Sequence, residues 1–104
     1  MRVIWANPAK RQLRQILSTI RDARGSETSS RWFWKIRDAV VTIADFPLIG
    51  TPLPENTHNG FNGYFANLRQ IVIPPYRIVY EPRKDVCEVL FCQRTSQLLS
   101  PHHR

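Results

Sequence analysis

The hydrophobic pattern of the sequence changes from a helical period to a strand period across one proline-rich segment. Before this segment, apolar residues recur at three- and four-residue spacing, as on one face of an amphipathic helix. After it, β-branched and aromatic residues form short runs between turn residues. The segment itself, 46–55, contains three prolines and one glycine, and we expect no regular structure in it. The pattern therefore predicts helices first and a sheet afterwards.

Two helices are expected before the proline-rich segment. Asn7 is the predicted N-cap of the first helix, with Pro8 at the first helical position, and this helix ends near Gly25. A polar link at 26–30 then leads to a second helix, which Pro47 terminates. Because the link is short, the two helices should form an antiparallel hairpin.

The second half of the chain predicts three sequential strands, at 68–73, 76–81 and 86–93. Their links are short, as in an antiparallel meander. A further short strand is predicted at 2–6. The expected fold class is α+β with two layers: an N-terminal strand, and an antiparallel helical hairpin packed on a mainly antiparallel sheet.

The length of 104 residues allows one hydrophobic core. We therefore predict a single domain over 1–104, with 94–104 as a flexible tail. The apolar run at the start of the chain breaks at Pro8, too early for a signal peptide or a membrane span. These features predict a cytoplasmic protein without a membrane partner.

Fifteen Lys and Arg against eight Asp and Glu give a net charge of +7. This charge indicates an anionic partner, and nucleic acid, an acidic protein segment and a membrane surface all fit it. Cys87 and Cys92 lie five residues apart on one predicted strand, so we expect them on opposite faces as buried free thiols. Neither they nor the histidines have metal-site spacing, and the sequence predicts no metal or other cofactor.

Three arginines are associated with the predicted strands: Arg69, Arg77 and Arg94. Several guanidiniums on one small sheet can bind phosphates through paired hydrogen bonds. The alternative is that they face solvent or pair with nearby acids. Tyr76 and Tyr80 should lie on the face opposite Arg77, where packing is their expected role.

Three consecutive aromatic residues, 32–34, cannot all face one way on a helix. At least one of them should be exposed. An exposed aromatic ring indicates either a partner surface or shielding by the proline-rich segment.

The order of elements and three local motifs resemble the RelE/ParE superfamily of bacterial toxins. These motifs are the helix-ending stretch 45–55, Leu68–Ile71, and above all Tyr76–Glu81 with the sequence YRIVYE. The resemblance implies the toxin of a type II toxin–antitoxin system, which inhibits growth until a cognate antitoxin wraps it. It also implies that operator DNA is bound only through the antitoxin complex.

The superfamily contains both ribosome-dependent mRNA endonucleases like RelE and inhibitors of DNA gyrase like ParE. If this chain is a nuclease, the resemblance implies Arg69, Arg77 and Arg94 as phosphate ligands and Glu55 as the base. Such nucleases also carry His or Tyr just after the last strand. At this place, residues 94–97, the present sequence is RTSQ, with neither His nor Tyr. We therefore favour the ParE-like branch with gyrase as target. An mRNA endonuclease, or a non-toxic relative that only binds the antitoxin, remains the alternative, and the sequence leaves enzymatic activity open.

Overall fold

The computed structural model describes residues 1–53 and 67–97. Two helices pack on a five-stranded sheet, which confirms the predicted two-layer α+β class. The elements, in chain order, are β1 (Arg2–Trp5), α1 (Asn7–Arg24), α2 (Ser26–Asp45), β2 (Thr51–Pro52), β3 (Arg69–Ile73), β4 (Tyr76–Pro82) and β5 (Val86–Arg94).

The strands lie in the order β1-β5-β4-β3-β2. The predicted meander of β3, β4 and β5 is confirmed, since each neighbouring pair is antiparallel. Among the described strands, only β1 runs parallel to its neighbour, β5. The helical connection between β1 and the meander covers one face of the sheet, as such crossovers do.

The helical hairpin is tighter than the sequence predicts. Gly25 alone separates α1 from α2, and the polar residues 26–30, expected as a link, already belong to α2. Gly25 has φ of 94° and ψ of 164°, a conformation open essentially to glycine only. Across the hairpin, the Ser29 hydroxyl donates to the Leu17 carbonyl at 2.8 Å.

Two local predictions need correction. Asn7 is not the N-cap of α1 but its first residue; Ala6 occupies the cap position and makes no side-chain hydrogen bond there. The proline-rich segment also contains regular structure, because β2 pairs with β3. Proline is tolerated in β2 because the strand lies at the sheet edge, where one row of donors needs no partner.

The main core lies between the helices and the sheet. Ile36 and Ile43 of α2 pack there with Ile78 and Tyr80 of β4, and all four are at most 1 % exposed. A second buried cluster lies on the opposite face of the sheet, around Val79 and Phe91 with Leu53, Leu68 and Leu90. The central strands are therefore apolar on both faces.

A β-bulge at Leu90 changes the parity of β5. Tyr80 pairs with Val89 while Val79 pairs with Phe91, so Leu90 has no partner in the register. Cys87 and Cys92 consequently lie on the same, helix-packed face, and the prediction of opposite faces is wrong. Both are buried free thiols, as expected.

Candidate functional site

The structure divides the three predicted arginines between the two faces of the sheet. Arg69 pairs with Tyr80 in the register, and Arg94 pairs with Tyr76. Both arginines thus lie on the helix-packed side, at different strand ends. Arg77 pairs with Val72 and Gln93 and lies on the opposite face, away from both tyrosines as predicted. The three guanidiniums do not converge on one surface.

Arg77 is buried and surrounded by amide groups. Its Nη1 donates to Gln70 Oε1 at 3.3 Å, and its Nη2 donates to the Gln97 carbonyl at 2.6 Å. Gln93, which is also buried, donates to the same carbonyl at 3.2 Å. Burial lowers the pKa of the Arg77 guanidinium, which an arginine withstands without losing its proton. Arg77 therefore anchors the turn that follows β5.

Two polar atoms of this network, Arg77 Nε and Gln93 Oε1, have no hydrogen-bond partner among the described residues. One is a donor and the other an acceptor, on residues that face each other across β4 and β5. A buried water between such groups would satisfy both.

Hydrogen bonds after β5 show that the first residues of the predicted tail, 94–104, belong to the fold. Arg94 is the last residue of β5, and its backbone N–H donates to Gln97 Oε1 at 3.0 Å. Thr95 donates to the Pro75 carbonyl at 2.9 Å. The fold therefore continues to Gln97, and residues 98–104 lie outside the described part of the chain.

Arg69 holds the segment between α2 and β2. Its Nη1 donates to the carbonyls of Leu48 and Gly50, at 3.1 and 2.7 Å. Tyr80 contacts the same segment through its hydroxyl, which donates to the Pro47 carbonyl at 2.8 Å and accepts from the Gly50 N–H at 2.9 Å. Arg69 is therefore engaged in structure rather than free for a phosphate.

Arg94 lines a cavity of about 440 Å³ on the helix-packed side, which we call the basic cavity. Its other walls include Ile20 and Arg24 of α1, Trp32 of α2, and Pro75 and Tyr76 at the turn between β3 and β4. Arg24 could not be predicted as a site residue from the sequence, because an arginine in the last turn of a helix is common in itself. Only the fold brings it to the end of β5.

The carboxylates of the sheet are held in a separate ion pair cluster. Arg83 Nε lies 3.1 Å from Glu81 Oε1, and its Nη2 lies 2.7 Å from Glu88 Oε1. Glu81 and Glu88 face each other in the register, where two like charges would otherwise repel. Arg83, in the turn between β4 and β5, therefore bridges the two carboxylates and offsets their repulsion.

An apolar groove of about 220 Å³ lies along α2 beside β1, and we call it the α2 groove. Its walls are formed by Trp5, Leu13, Phe33, Ile36, Arg37 and Val40. At least one exposed aromatic ring was expected at 32–34, and this is confirmed: Phe33 is 41 % exposed and Trp34 is 54 % exposed. Arg37 gives the groove a cationic rim. Its guanidinium lies 5.3 Å from the Trp34 ring centroid and 3.9 Å from the exposed Asp38 carboxylate.

The remaining predicted site residue, Glu55, lies outside the described residues. Among residues 1–53 and 67–97, no group of three or more His, Cys, Asp or Glu side chains could hold a metal ion. In the same part of the chain, no helix combines the length and the apolar character needed to cross a membrane.

A family model described as "ParE toxin of type II toxin-antitoxin system, parDE" matches residues 3–98. Among solved structures, a chain of the "Chromosomal ParDE TA system from P. aeruginosa" superimposes with a TM-score of 0.71 and 17 % identity, covering 90 % of this chain and 95 % of the other. At that identity the likeness shows a shared fold. No curated protein matches the sequence.

Proposed function

Because the chain belongs to the ParE toxin family of type II toxin–antitoxin systems, it is the toxin of such a system, and we propose that its target is DNA gyrase. A cognate antitoxin is its partner. The proposed target places its action in the cytoplasm. One observation carries the choice of gyrase over mRNA: the arginines that a nuclease of this superfamily needs are divided between two faces of the sheet.

The surroundings of Arg77 support this choice. Cleavage of RNA by its own 2′-OH requires a base, a proton donor and cations around one phosphate. Among the described residues, the hydrogen-bond partners of Arg77 are the Gln70 side-chain amide and the Gln97 backbone carbonyl, and the Gln93 amide donates to the same carbonyl. None of these groups takes or gives a proton near pH 7. Glu81 lies on the same face, but its carboxylate is paired with Arg83.

The test is induction of the full chain without its antitoxin. We expect growth arrest with gyrase trapped in covalent complexes on DNA, and translated mRNA that stays intact in primer extension. Cuts at translated codons without trapped gyrase would contradict the proposal and support the mRNA endonuclease. Normal growth with abundant folded protein would contradict toxicity and leave the antitoxin-binding relative.

Variants at Arg77 separate a chemical role from a structural one. Arg77→Lys keeps a buried cation but loses the two-pronged guanidinium, so a nuclease would lose cutting while remaining folded. If the target is gyrase, Arg77→Lys should reduce toxicity only as far as it reduces the amount of folded protein. Arg11→Lys, at an exposed arginine of α1, is the matched control.

We also propose that the α2 groove binds the antitoxin. An acidic amphipathic segment suits it, because the groove is apolar, its rim carries Arg37, and the chain has a net charge of +7. Phe33 in the groove wall, and Trp34 beside the groove with its ring centroid 5.3 Å from that of Phe33, supply the large aromatic contacts that dominate most interfaces.

Replacing Phe33 with alanine should therefore weaken antitoxin binding strongly, by roughly 2 kcal/mol or more if it is an energetic centre of the interface. Arg37→Gln should weaken binding less and reduce its dependence on salt. Val72→Ala, an exposed apolar position on β3, is the control. Unchanged affinity in the Phe33 variant, measured by calorimetry with the purified antitoxin, would rule out this groove.

A further inference from the structure

We propose that the basic cavity binds a phosphomonoester attached to a planar base, as in a nucleoside monophosphate or the phosphorylated end of a nucleic-acid strand. The cavity lies on the helix-packed side of the sheet, away from Arg77. The proposal is independent of the choice between gyrase and mRNA as the toxin's target.

Two arginines supply the positive charge. Arg24 ends α1 and Arg94 ends β5, and their side chains line the same cavity. Neither forms an ion pair with an acidic residue of the described part of the chain. Within residues 1–53 and 67–97, no Asp or Glu lines the cavity either. Two unpaired guanidiniums at one cavity attract an anion and bind its oxygens in pairs.

Arg94 is held in place before any ligand arrives. Its guanidinium lies 5.6 Å from the centroid of the Tyr76 ring, and its backbone is fixed by pairing with Tyr76 and by the hydrogen bond to Gln97. Pro75 is fixed in turn by the hydrogen bond that its carbonyl accepts from Thr95. A preorganised cation loses little conformational entropy on binding.

The apolar wall of the cavity suits a planar group. Trp32 and Tyr76 meet edge to face with ring centroids 5.2 Å apart, and Ile20 and Pro75 continue this wall. Lys35 Nζ lies 4.7 Å from the Trp32 ring centroid and adds a third cation nearby. Combined aromatic and cationic walls are typical of sites that bind bases with their phosphates.

The volume of the cavity and the charge of its two guanidiniums indicate which ligand fits. A volume of about 440 Å³ lies within the range of small-molecule sites and leaves most of the cavity empty around a free phosphate ion. A phosphomonoester carries a charge of about −1.5 to −2 at pH 7, which matches two guanidiniums. One carboxylate of an acidic peptide, or one phosphodiester inside a strand, carries only a single negative charge.

The test is titration of the full-length toxin with adenosine monophosphate, followed by calorimetry and by tryptophan emission. We expect saturable binding that changes the emission of Trp32. Arg24→Gln and Arg94→Gln should each weaken binding at least tenfold, while Arg11→Gln, an exposed arginine elsewhere on α1, should leave it unchanged. Trp32→Phe should abolish the emission change but keep the calorimetric signal.

Titrations with related compounds identify the source of the phosphate. Adenosine, which lacks the phosphate, should bind at least tenfold more weakly than adenosine monophosphate. A single-stranded oligonucleotide with a 5′-phosphate that binds more tightly than its 5′-hydroxyl counterpart would support a strand end; tighter binding of the free nucleotide would support a metabolite.

Other outcomes would overturn the proposal. These are no binding of either phosphomonoester, equal binding of adenosine and its monophosphate, or full retention of binding in the Arg94→Gln variant. Competition by an acidic peptide at lower concentration than adenosine monophosphate would assign the cavity to a protein partner instead. Arg94→Lys, with far-ultraviolet circular dichroism as a folding control, covers the case in which Arg94→Gln does not fold.

Discussion

A single hydroxyl, that of Tyr80, ties the segment after α2 to the centre of the sheet. It is completely buried and bonded on both sides, to the Gly50 N–H and the Pro47 carbonyl. A side chain at Gly50 would not fit, because a Cβ atom there would lie 2.7 Å from the Tyr80 hydroxyl oxygen. Tyr80 therefore decides where the proline-rich segment lies.

We expect Tyr80→Phe to lower the free energy of unfolding by about 1–3 kcal/mol, because it leaves a buried donor and acceptor without a partner. Equilibrium urea unfolding measures this loss. Tyr76→Phe is the control, since the Tyr76 hydroxyl makes no hydrogen bond within the described residues, and it should cost less. Equal losses in the two variants would contradict the role of the hydroxyl.

A pH dependence is expected from Cys92. Burial raises the pKa of its thiol to about 11 from an ordinary value of 9.0. The folded state thus holds this proton more tightly than the unfolded state, so the thiol's contribution to stability is complete below pH 9 and is lost as the pH rises to about 11. The full contribution is about 2 to 3 kcal/mol, at 1.36 kcal/mol per pKa unit.

Urea unfolding at pH 8 and at pH 10.5 should therefore show a steeper loss of stability in the wild type than in Cys92→Ala. The variant will be less stable at both pH values, because it removes buried volume, and only its slope with pH is diagnostic. Cys87→Ala should retain the part of the slope that Cys92 causes. Parallel slopes in the wild type and Cys92→Ala would show that Cys92 does not titrate in this range.

Residue positions along a strand were predictable only where the strand is regular. The placement of the tyrosines opposite Arg77 followed from the two-residue period and is confirmed on β4. The same rule failed for the cysteines, because Leu90 adds one residue to β5 and the sequence around it is apolar at every position. Arg24 and Arg94 line the same cavity only because of tertiary packing, and no local sequence pattern predicts this.

Among the elements, the helical hairpin depends most visibly on one residue. Gly25 joins two helices of 18 and 20 residues with a backbone conformation that other residues adopt only under strain. A Cβ atom added there would meet nothing within 4 Å. A substitution at Gly25 would therefore measure only the free-energy cost of holding another residue in this backbone conformation.

We expect Gly25→Ala to cost about 1–3 kcal/mol of stability. In a domain of this size each kcal/mol lowers Tm by roughly 4–8 °C. Ser26→Ala is the control, because Ser26 is the exposed first residue of α2 and has an ordinary helical backbone. If Gly25→Ala melts at the wild-type temperature, the hairpin does not require glycine at this position.

The sequence predicted the existence and type of the long elements well, because their apolar patterns are regular over many residues. It did not predict β2, because a strand of two residues, one of them a proline, has no pattern of its own and forms only by pairing with β3. It also placed the start of α2 too late, since serines favour both turns and helix ends.

At the scale of the whole molecule, the sheet separates two environments. The helix-packed side holds the main core and, at its edges, the α2 groove and the basic cavity. The other side holds the amide network around Arg77 and the ion pairs of Arg83. The family resemblance correctly implied a toxin fold, but it could not show that Arg77 is occupied by the chain's own backbone.

A single domain over 1–104 should unfold in one cooperative step, because the helices and the sheet share the same core. Ile78→Ala tests this, since Ile78 is 1 % exposed in the middle of β4 and packs against α2. We expect a loss of about 2–5 kcal/mol. The exposed Val72→Ala on β3 is the control and should cost much less.

Far-ultraviolet circular dichroism follows mainly the helices in this experiment, and tryptophan emission follows the packing around the sheet and hairpin. Both signals should move to the same lower urea midpoint in Ile78→Ala, because removing one shared core contact weakens both layers together. A helical signal that keeps its wild-type midpoint while the emission midpoint falls would mean that the hairpin is stable without the sheet. The chain would then consist of two independently folding units rather than one domain.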